Sequence, residues 1–235
     1  MIYGISKTSI RDKIVFKGGT ALSKVYFPLN WRISEDLDFT IIGSATIKEL
    51  SDAIIKEIPE LVLKGSDGIK VEYRDHHENN AFLRLRLAIE GPITRHNTRI
   101  EITREDIIGP YNLMPVPKDY DYTSFSINTY SLENILAEKL RSMIERDKIR
   151  DYYDTWRLLK EESIDLESTV SLFNKKCKSK GITYRNISQI LPENIKDILQ
   201  PYYEGELLRL TVTPTVPLDT ILHELSQKLS PMFSD

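Results

Sequence analysis

Two short motifs near the N-terminus contain residue types that bind phosphates and metal ions. A glycine pair, Gly18-Gly19, follows a short apolar run, and Asp36 and Asp38 flank Leu37 further along the chain. Residues two apart in an extended strand point to the same side, so the two carboxylates should project together. Adjacent carboxylates repel each other unless a cation lies between them, and hard ions such as Mg²⁺ (or Mn²⁺) prefer oxygen ligands. The aspartates therefore predict a divalent metal site.

The glycine pair predicts a phosphate site beside that metal. A chain that turns from strand to helix at two glycines directs backbone N–H groups and the positive end of the helix dipole outward. We therefore expect Gly18 and Gly19 to bind the phosphates of a nucleotide. Thr20 and Ser23 would add hydroxyl donors, and Arg32 would add a guanidinium fork suited to a phosphate oxygen.

A third carboxylate is predicted at Glu101. Alternation in the segment Arg99–Thr103 places Ile100 and Ile102 on one face and Glu101 on the other. If this strand neighbours the strand of the aspartates, three acids converge, which suits metal-assisted phosphoryl transfer. The predicted metal ligands and catalytic acids are therefore Asp36, Asp38 and Glu101.

The elements that must position these residues follow from hydrophobic periodicity. Strands are predicted at Lys13–Lys17, Leu37–Ile42, Ile69–Ile89, Thr98–Thr103 and near Ser124–Asn128, and helices at Thr20–Phe27 and Ile47–Ile58, the latter followed by Pro59. The polar residues Arg74–Asn80 are interpreted as a connection between strands, and Tyr111–Tyr130 as a connection that ends in a strand. Beyond Ser131 the pattern is mostly helical. The predicted fold is α+β (α/β), with a mixed-sheet core at residues 1–130 and a mainly helical domain at residues 131–235.

The composition is that of a globular protein without a membrane segment. The 235 residues include no apolar run long enough to span a bilayer, and the N-terminus lacks the pattern of a signal peptide. We therefore expect a cytoplasmic location and no membrane partner. Cys177 is the one cysteine, so it cannot form an intramolecular disulfide, which fits a reducing compartment.

The charge distribution bears on nucleic-acid binding. A net charge of −3 gives no global electrostatic case for it. Two basic clusters are nevertheless present: Lys175, Lys176, Lys178, Lys180 and Arg185, and Arg84, Arg86, Arg95, Arg99 and Arg104. A solvated helix end explains the first cluster at least as well as an RNA groove does.

These motifs resemble those of the nucleotidyltransferase superfamily, and within it the AbiEii/AbiGii toxin family of type IV toxin–antitoxin systems. The resemblance rests on the segment Lys17–Ser23, on Arg32 with Ser34–Phe39, and on a later match at Glu138–Arg141, Arg146 and Arg150–Asp154. It implies a nucleotidyltransferase fold and transfer of a nucleoside monophosphate from a nucleoside triphosphate to an acceptor hydroxyl. It also implies an RNA acceptor such as a tRNA 3′ end, toxicity, and neutralisation by an antitoxin protein.

The resemblance further implies an essential lysine and an essential aspartate in the later motifs. These functions fall on Lys139 and on Asp151 or Asp154. Helical spacing places Lys139 within an apolar stripe, where a lysine either extends its amine to solvent or contacts a phosphate. Asp154 could equally form an ordinary i,i+4 pair with Arg150.

Two departures from the family pattern and two alternative functions accompany this interpretation. Only about fifteen residues precede the glycine pair, fewer than is usual for the family it resembles. Glutamate occupies position 101, where the wider superfamily often has aspartate. The acceptor could instead be a small molecule or a protein hydroxyl. The chain could also be a non-catalytic nucleotide-binding module, although the three acids argue against that alternative.

Overall fold

The computed structural model describes residues 1–34, 36–66, 68–117, 124–211 and 216–233. The chain divides into two units, Met1–Tyr130 and Ser131–Asp235. The first unit contains all of the described β-strands, and the second is helical. No helix within the described parts of the chain has both the length and the apolar character needed to cross a bilayer.

The first unit is built on a mixed seven-stranded sheet in the order β3-β4-β5-β2-β1-β7-β6. The strands are β1 (Ile14–Lys17), β2 (Leu37–Ile41), β3 (Lys70–Glu78), β4 (Phe82–Glu90), β5 (Arg95–Thr103), β6 (Tyr111–Pro115) and β7 (Ser126–Tyr130). The pairs β2–β5 and β1–β7 are parallel, and the other neighbouring strands are antiparallel. The expectation of an α+β fold with a mixed sheet is confirmed.

The two faces of this sheet differ in character because its strands alternate apolar and polar side chains. The apolar face forms the core of the first unit and includes Phe16, Phe39, Leu85, Ile100 and Ile102, all fully buried. The polar face of β4, β5 and β2 carries arginines and carboxylates. Every acid predicted to bind metal therefore belongs to this polar face.

In the described part of the first unit, three helical segments accompany the sheet. They are α1 (Ile2–Lys7), α2 (Gly18–Ala21, continued by a π-helical turn at Leu22–Tyr26) and α3 (Ile47–Lys64). Thr46 caps the N-terminus of α3, because its side chain accepts a hydrogen bond from the Glu49 N–H at 3.2 Å.

Three predicted boundaries were wrong. Helix α3 continues through Pro59 to Lys64. Pro59 removes one backbone hydrogen bond from the helix. Burial of Val62 in the next turn offsets that loss, because it extends the apolar face of the helix. Strand β3 runs through His76 and His77, which were expected in a connection, because pairing with β4 outweighs their polar character. The segment Tyr111–Tyr130 begins with a strand, β6. Residues 118–123 of that predicted connection lie outside the described residues.

The second unit is mainly helical, and its first helix begins at Leu132. Its helices are α4 (Leu132–Glu145), α5 (Ile149–Leu158), α6 (Leu166–Ser179), α7 (Ile195–Tyr202), α8 (Leu208–Leu210) and α9 (Leu218–Met232), with short turns at Ile187–Gln189 and Tyr203–Leu207. The Ser131 side chain accepts a hydrogen bond from the Asn134 N–H at 3.3 Å and thereby caps α4. Cys177 is buried on α6.

Candidate active site

The glycine turn and the aspartate strand meet at Gly18. Gly18 has φ +76°, a left-handed conformation that favours glycine. A Cβ atom at this position would lie 2.7 Å from Asp38 Oδ2. Glycine is therefore favoured for two separate reasons, the backbone conformation and the close approach of a carboxylate.

Gly19 is contacted by the Arg32 side chain. A Cβ atom on Gly19 would lie 2.6 Å from Arg32 Nη2. Arg32 is buried, and its Nη1 donates a hydrogen bond to the Ile33 carbonyl at 3.2 Å. The guanidinium therefore fixes the segment before β2 against the glycine turn, and phosphate binding by Arg32 stays a prediction.

The two hydroxyls after the glycines are bonded to the chain itself. The Thr20 hydroxyl donates to the Asp36 carbonyl and lies 2.8 Å from Ser34 Oγ. The Ser23 hydroxyl donates to the Thr20 carbonyl at 3.2 Å. Thr20 thus links α2 to the segment carrying the aspartates, which local sequence spacing alone did not reveal.

Asp38 and Glu101 are direct neighbours in the sheet. They are register partners on the parallel strands β2 and β5, and Lys17 is the register partner of Asp38 on β1. On the other side, Arg84 of β4 pairs in register with Glu101 and donates a hydrogen bond from Nε to Oε1 at 2.8 Å. A row of two adjacent acids flanked by two cations therefore crosses four strands.

Lys17, the cation at the β1 end of this row, is buried. Its Nζ lies 3.3 Å from Glu105 Oε1, in an ion pair that is nearly nine-tenths removed from solvent on both sides. The ammonium also lies 5.8 Å from the centre of the Tyr130 ring. Lys17 is the first residue of the motif Lys17–Ser23, in which the predicted functions fell on Gly18, Gly19, Thr20 and Ser23.

Asp36 faces a different partner from Asp38. It directly precedes β2, and both of its carboxylate oxygens accept hydrogen bonds from Arg99, at 2.8 Å from Nε and 2.7 Å from Nη2. The hydrogen bonds and charge of Asp36 raise the pKa of Arg99. Arg99 lies two residues before Glu101, on the same face of β5, and this spacing was the signal that could have identified it.

The donor set fits a divalent cation in its chemistry. Asp38 and Glu101 offer hard carboxylate oxygens on adjacent strands, and Asp36 lies at the same end of β2. Across the described residues, no three acidic, histidine or cysteine side chains already form a metal-binding group. Since Asp36 is held by Arg99, its participation in a shared metal site stays a prediction.

The second unit contains a buried ionic cluster made by the later predicted residues. Lys139 of α4 lies 2.7 Å from Asp151 and 2.9 Å from Asp154, both on α5. Arg146 Nε donates to the second oxygen of Asp151 at 3.0 Å. Burial raises the pKa of Asp151, but Lys139 and Arg146 outweigh burial and hold that pKa below its usual value.

This cluster resolves the geometry of the later motif. Arg150 bonds Glu206 at 2.7 Å, and Asp154 contacts Lys139 at 2.9 Å. Both aspartates touch the lysine, and the choice between them as the functional residue stays open.

The lysine-rich segment of α6 is only partly available to a ligand. Lys176 is buried and its Nζ lies 3.2 Å from Glu138 Oε1 of α4. Lys175 and Lys178 are exposed. Lys176 therefore packs inside the second unit and does not line an open groove.

Comparisons with known proteins agree with this architecture. The sequence profile described as "Nucleotidyl transferase AbiEii toxin, Type IV TA system" matches residues 1–224. No curated protein matches the chain. Among solved structures, the nucleotidyltransferase toxin MenT4 (Rv2826c) of Mycobacterium tuberculosis H37Rv is similar with a TM-score of 0.68 and 20% identity, over 98% of this chain and 79% of that one.

Two structures from Helicobacter pylori are similar as well. JHP933 has a TM-score of 0.58 at 19% identity, covering 98% of this chain and 86% of its own. A putative nucleotidyltransferase has the same score and identity, with 98% and 89% covered. At these identities the likenesses establish the shared fold.

Proposed function

Because the chain belongs to the AbiEii family of nucleotidyltransferase toxins from type IV toxin–antitoxin systems, we propose that it transfers a nucleoside monophosphate from a nucleoside triphosphate to a hydroxyl of RNA. The observation that carries the proposal is the register of Asp38 with Glu101, directly beside the Gly18 turn. An antitoxin protein would neutralise this activity.

In the proposed reaction, the acceptor hydroxyl attacks the α-phosphorus of the triphosphate. A new bond forms between the acceptor oxygen and this phosphorus, while the bond to the β-phosphate oxygen breaks and pyrophosphate leaves. Glu101, on the polar face, accepts the hydroxyl proton. The rate depends mainly on positioning and on neutralisation of the phosphate charge.

Asp38 and Glu101 would hold the divalent cation, with Asp36 as the third ligand once it separates from Arg99. Mg²⁺ (or Mn²⁺), when bound, supplies positive charge to the triphosphate oxygens. The backbone of Gly18 and Gly19 would receive phosphates, with Thr20, Ser23 and Arg32 around them. Thr20 also positions Asp36 through its hydrogen bond to the Asp36 carbonyl.

Lys139 and one of Asp151 and Asp154 are proposed as further catalytic residues. Support comes from the family motif and from the direct contact of the lysine with both aspartates. A buried ammonium with two carboxylates has a fixed orientation, which a flexible surface lysine lacks.

The test is incubation of the purified protein and Mg²⁺ with each α-labelled nucleoside triphosphate and total cellular RNA. The products are then split between ribonuclease and protease digestion. Label that is sensitive to ribonuclease supports the proposal. Label that remains on protein would indicate a protein acceptor instead of RNA. Label in a small soluble product would indicate a small-molecule acceptor. The exposed pair Arg11–Asp12 lies outside the site, so Asp12→Asn is a suitable control for variants of the acids.

A further inference from the structure

The polar face of the first unit continues from the carboxylates into a cleft lined by arginines. We call it the arginine cleft, and it has a volume of about 730 Å³. Its lining residues are Asp36, Arg74, Asp75, Arg86, Arg95, Asn97, Thr98 and Arg99. Four arginines against two aspartates give this cleft a positive charge, although the whole chain has a net charge of −3.

Two of these arginines are direct neighbours in the sheet, an arrangement that an anion would stabilise. Arg86 and Arg99 are register partners on the antiparallel strands β4 and β5. Side chains at such positions lie about 5 Å apart at their Cβ atoms, and like charges there destabilise a sheet. Asp75 lies 3.7 Å from Arg86, and Asp36 bonds Arg99. The two aspartates therefore contribute to the charge balance of this pair, and Glu101 and Asp38 also act on Arg99 through their charge.

Use of Asp36 as a metal ligand would take from Arg99 the carboxylate that accepts its two hydrogen bonds. An incoming phosphate would replace that carboxylate, because the guanidinium fork matches phosphate oxygens in a bidentate contact. The other two arginines of the cleft, Arg74 and Arg95, are partly exposed to solvent. Both pair with the same carboxylate, that of Glu72, at 3.0 and 3.2 Å. Among the described residues that line the cleft, the guanidinium groups therefore outnumber the carboxylates.

The position of the cleft in the sheet separates it from the expected triphosphate site. In the strand order, β1 with its glycine turn lies on one side of β2, and β5, β4 and β3 lie on the other. Asp38 and Glu101 thus lie between the glycine turn and the arginine cleft, and Asp36 lines the cleft itself. Arg95 and Arg99 are four residues apart on β5, about 13 Å along an extended strand, which exceeds one phosphate group.

We propose that the arginine cleft binds the phosphate backbone of the RNA acceptor. This inference rests on the proposed function, since it names the surface that presents the acceptor to the carboxylates. The chemistry is that of sequence-independent backbone binding, in which guanidinium groups contact phosphates and release counterions.

The test measures binding separately from transfer. Fluorescence anisotropy with a labelled RNA hairpin carrying a single-stranded 3′ tail gives the Kd across a salt series. The variants are Arg86→Gln and Arg95→Gln in the cleft, with Arg11→Gln as a matched surface control. Binding of a labelled nucleoside triphosphate is measured on the same preparations.

We expect each cleft variant to weaken RNA binding by about threefold or more and to lower the salt slope by about one. Arg11→Gln should change neither quantity, and triphosphate binding should be the same for all variants. Glu72→Gln should tighten RNA binding, because it frees the two arginines that share that carboxylate.

RNA binding by the cleft variants that equals the unmodified protein would overturn the inference. Loss of triphosphate binding in those variants would also overturn it, because the cleft would then be part of the triphosphate site. Failure of the inference and failure of the proposed function are distinguishable. If the cleft variants still label RNA and bind it with unchanged affinity, the inference about the cleft is rejected and the proposed function is retained. If RNA binding depends on the cleft but the protein transfers no nucleotide, the proposed function is rejected and RNA binding by the cleft is retained.

Discussion

Arg99 donates two hydrogen bonds to Asp36, one to each carboxylate oxygen, at 2.8 and 2.7 Å. The arginine thus occupies an acid that the proposed reaction needs for a metal ion. Binding of a cation at Asp36 must compete with this pair, and a phosphate could take the released guanidinium. If the proposed function is correct, binding of the metal and binding of the RNA acceptor should therefore be coupled through the polar face of β2 and β5.

The first prediction concerns this competition. Arg99→Gln should tighten Mn²⁺ binding, because the variant removes both a positive charge near the site and the partner that holds Asp36. Electron paramagnetic resonance of free Mn²⁺ gives the affinity directly. Arg11→Gln should leave the affinity unchanged, and an affinity that falls in Arg99→Gln would show that Arg99 does not compete with the metal.

The second prediction concerns the close approach of Gly18 to Asp38. Gly18→Ala should lower the free energy of unfolding by more than Gly43→Ala does. Both glycines have positive φ, +76° and +69°, so both variants carry a left-handed strain of about 1–2 kcal/mol. Only at Gly18 would the new Cβ meet a carboxylate, while Gly43 has open space around it.

Denaturant unfolding of the two variants measures this difference. Gly18→Ala should also weaken Mn²⁺ binding, because Asp38 must move away. Equal unfolding free energies for the two variants would show that the contact with Asp38 contributes nothing.

The third prediction concerns Lys139. Lys139→Ala should lower the free energy of unfolding by about 3–5 kcal/mol, because it removes a charge partner from two buried carboxylates. Lys176→Ala is the matched variant, since Lys176 is also a buried lysine paired with an acid on a neighbouring helix. Both should unfold more easily, but nucleotidyl transfer, measured below both unfolding temperatures, should be lost only in Lys139→Ala.

Transfer by Lys139→Ala at the level of Lys176→Ala would assign Lys139 a purely structural function. The conservative variant Lys139→Arg separates charge from geometry. It should recover stability in part and activity hardly at all, because the guanidinium is larger than the ammonium it replaces.

The fourth prediction concerns acid stability. The pKa of Asp151 is lowered in the folded protein from an ordinary value of 3.8, with burial opposed by the charges of Lys139 and Arg146. A lowered pKa means that the folded state binds fewer protons, so this carboxylate stabilises the fold above pH 3.8 and loses that contribution as the pH falls further. Asp151→Asn should therefore flatten the decline of unfolding free energy below about pH 4. An unchanged acid profile would contradict the assignment.

Local periodicity was sufficient for the outline of the fold and insufficient for contacts between distant strands. Alternation predicted that Glu101 lies on the face opposite Ile100, but only the sheet order shows that β5 is the parallel neighbour of β2. The same limit concealed the pair between Asp36 and Arg99, which are 63 residues apart. Which strands pair is decided by tertiary packing, and spacing along the chain does not encode it.

The other differences between prediction and structure concern residues whose type alone does not decide their structure or their bonding partners. His76 and His77 have no apolar alternation around them, yet β3 includes them because their backbone pairs with β4. The hydroxyls of Thr20 and Ser23 have the chemistry of phosphate donors, but the structure shows them bonded to neighbouring backbone carbonyls. Residue type indicates which bonds a side chain can form, and the local backbone decides which of them it does form.

The most direct test of the central claim is nucleotidyl transfer by Asp38→Asn beside Asp12→Asn. Asparagine preserves the shape of the side chain and removes the charge that a divalent cation requires. With Mg²⁺, an α-labelled nucleoside triphosphate and RNA, we predict labelled RNA from the unmodified protein and from Asp12→Asn, and at least about a hundredfold less from Asp38→Asn. Labelling by Asp38→Asn at the level of Asp12→Asn would contradict the assignment of the active site to the Gly18 turn and the β2–β5 carboxylates.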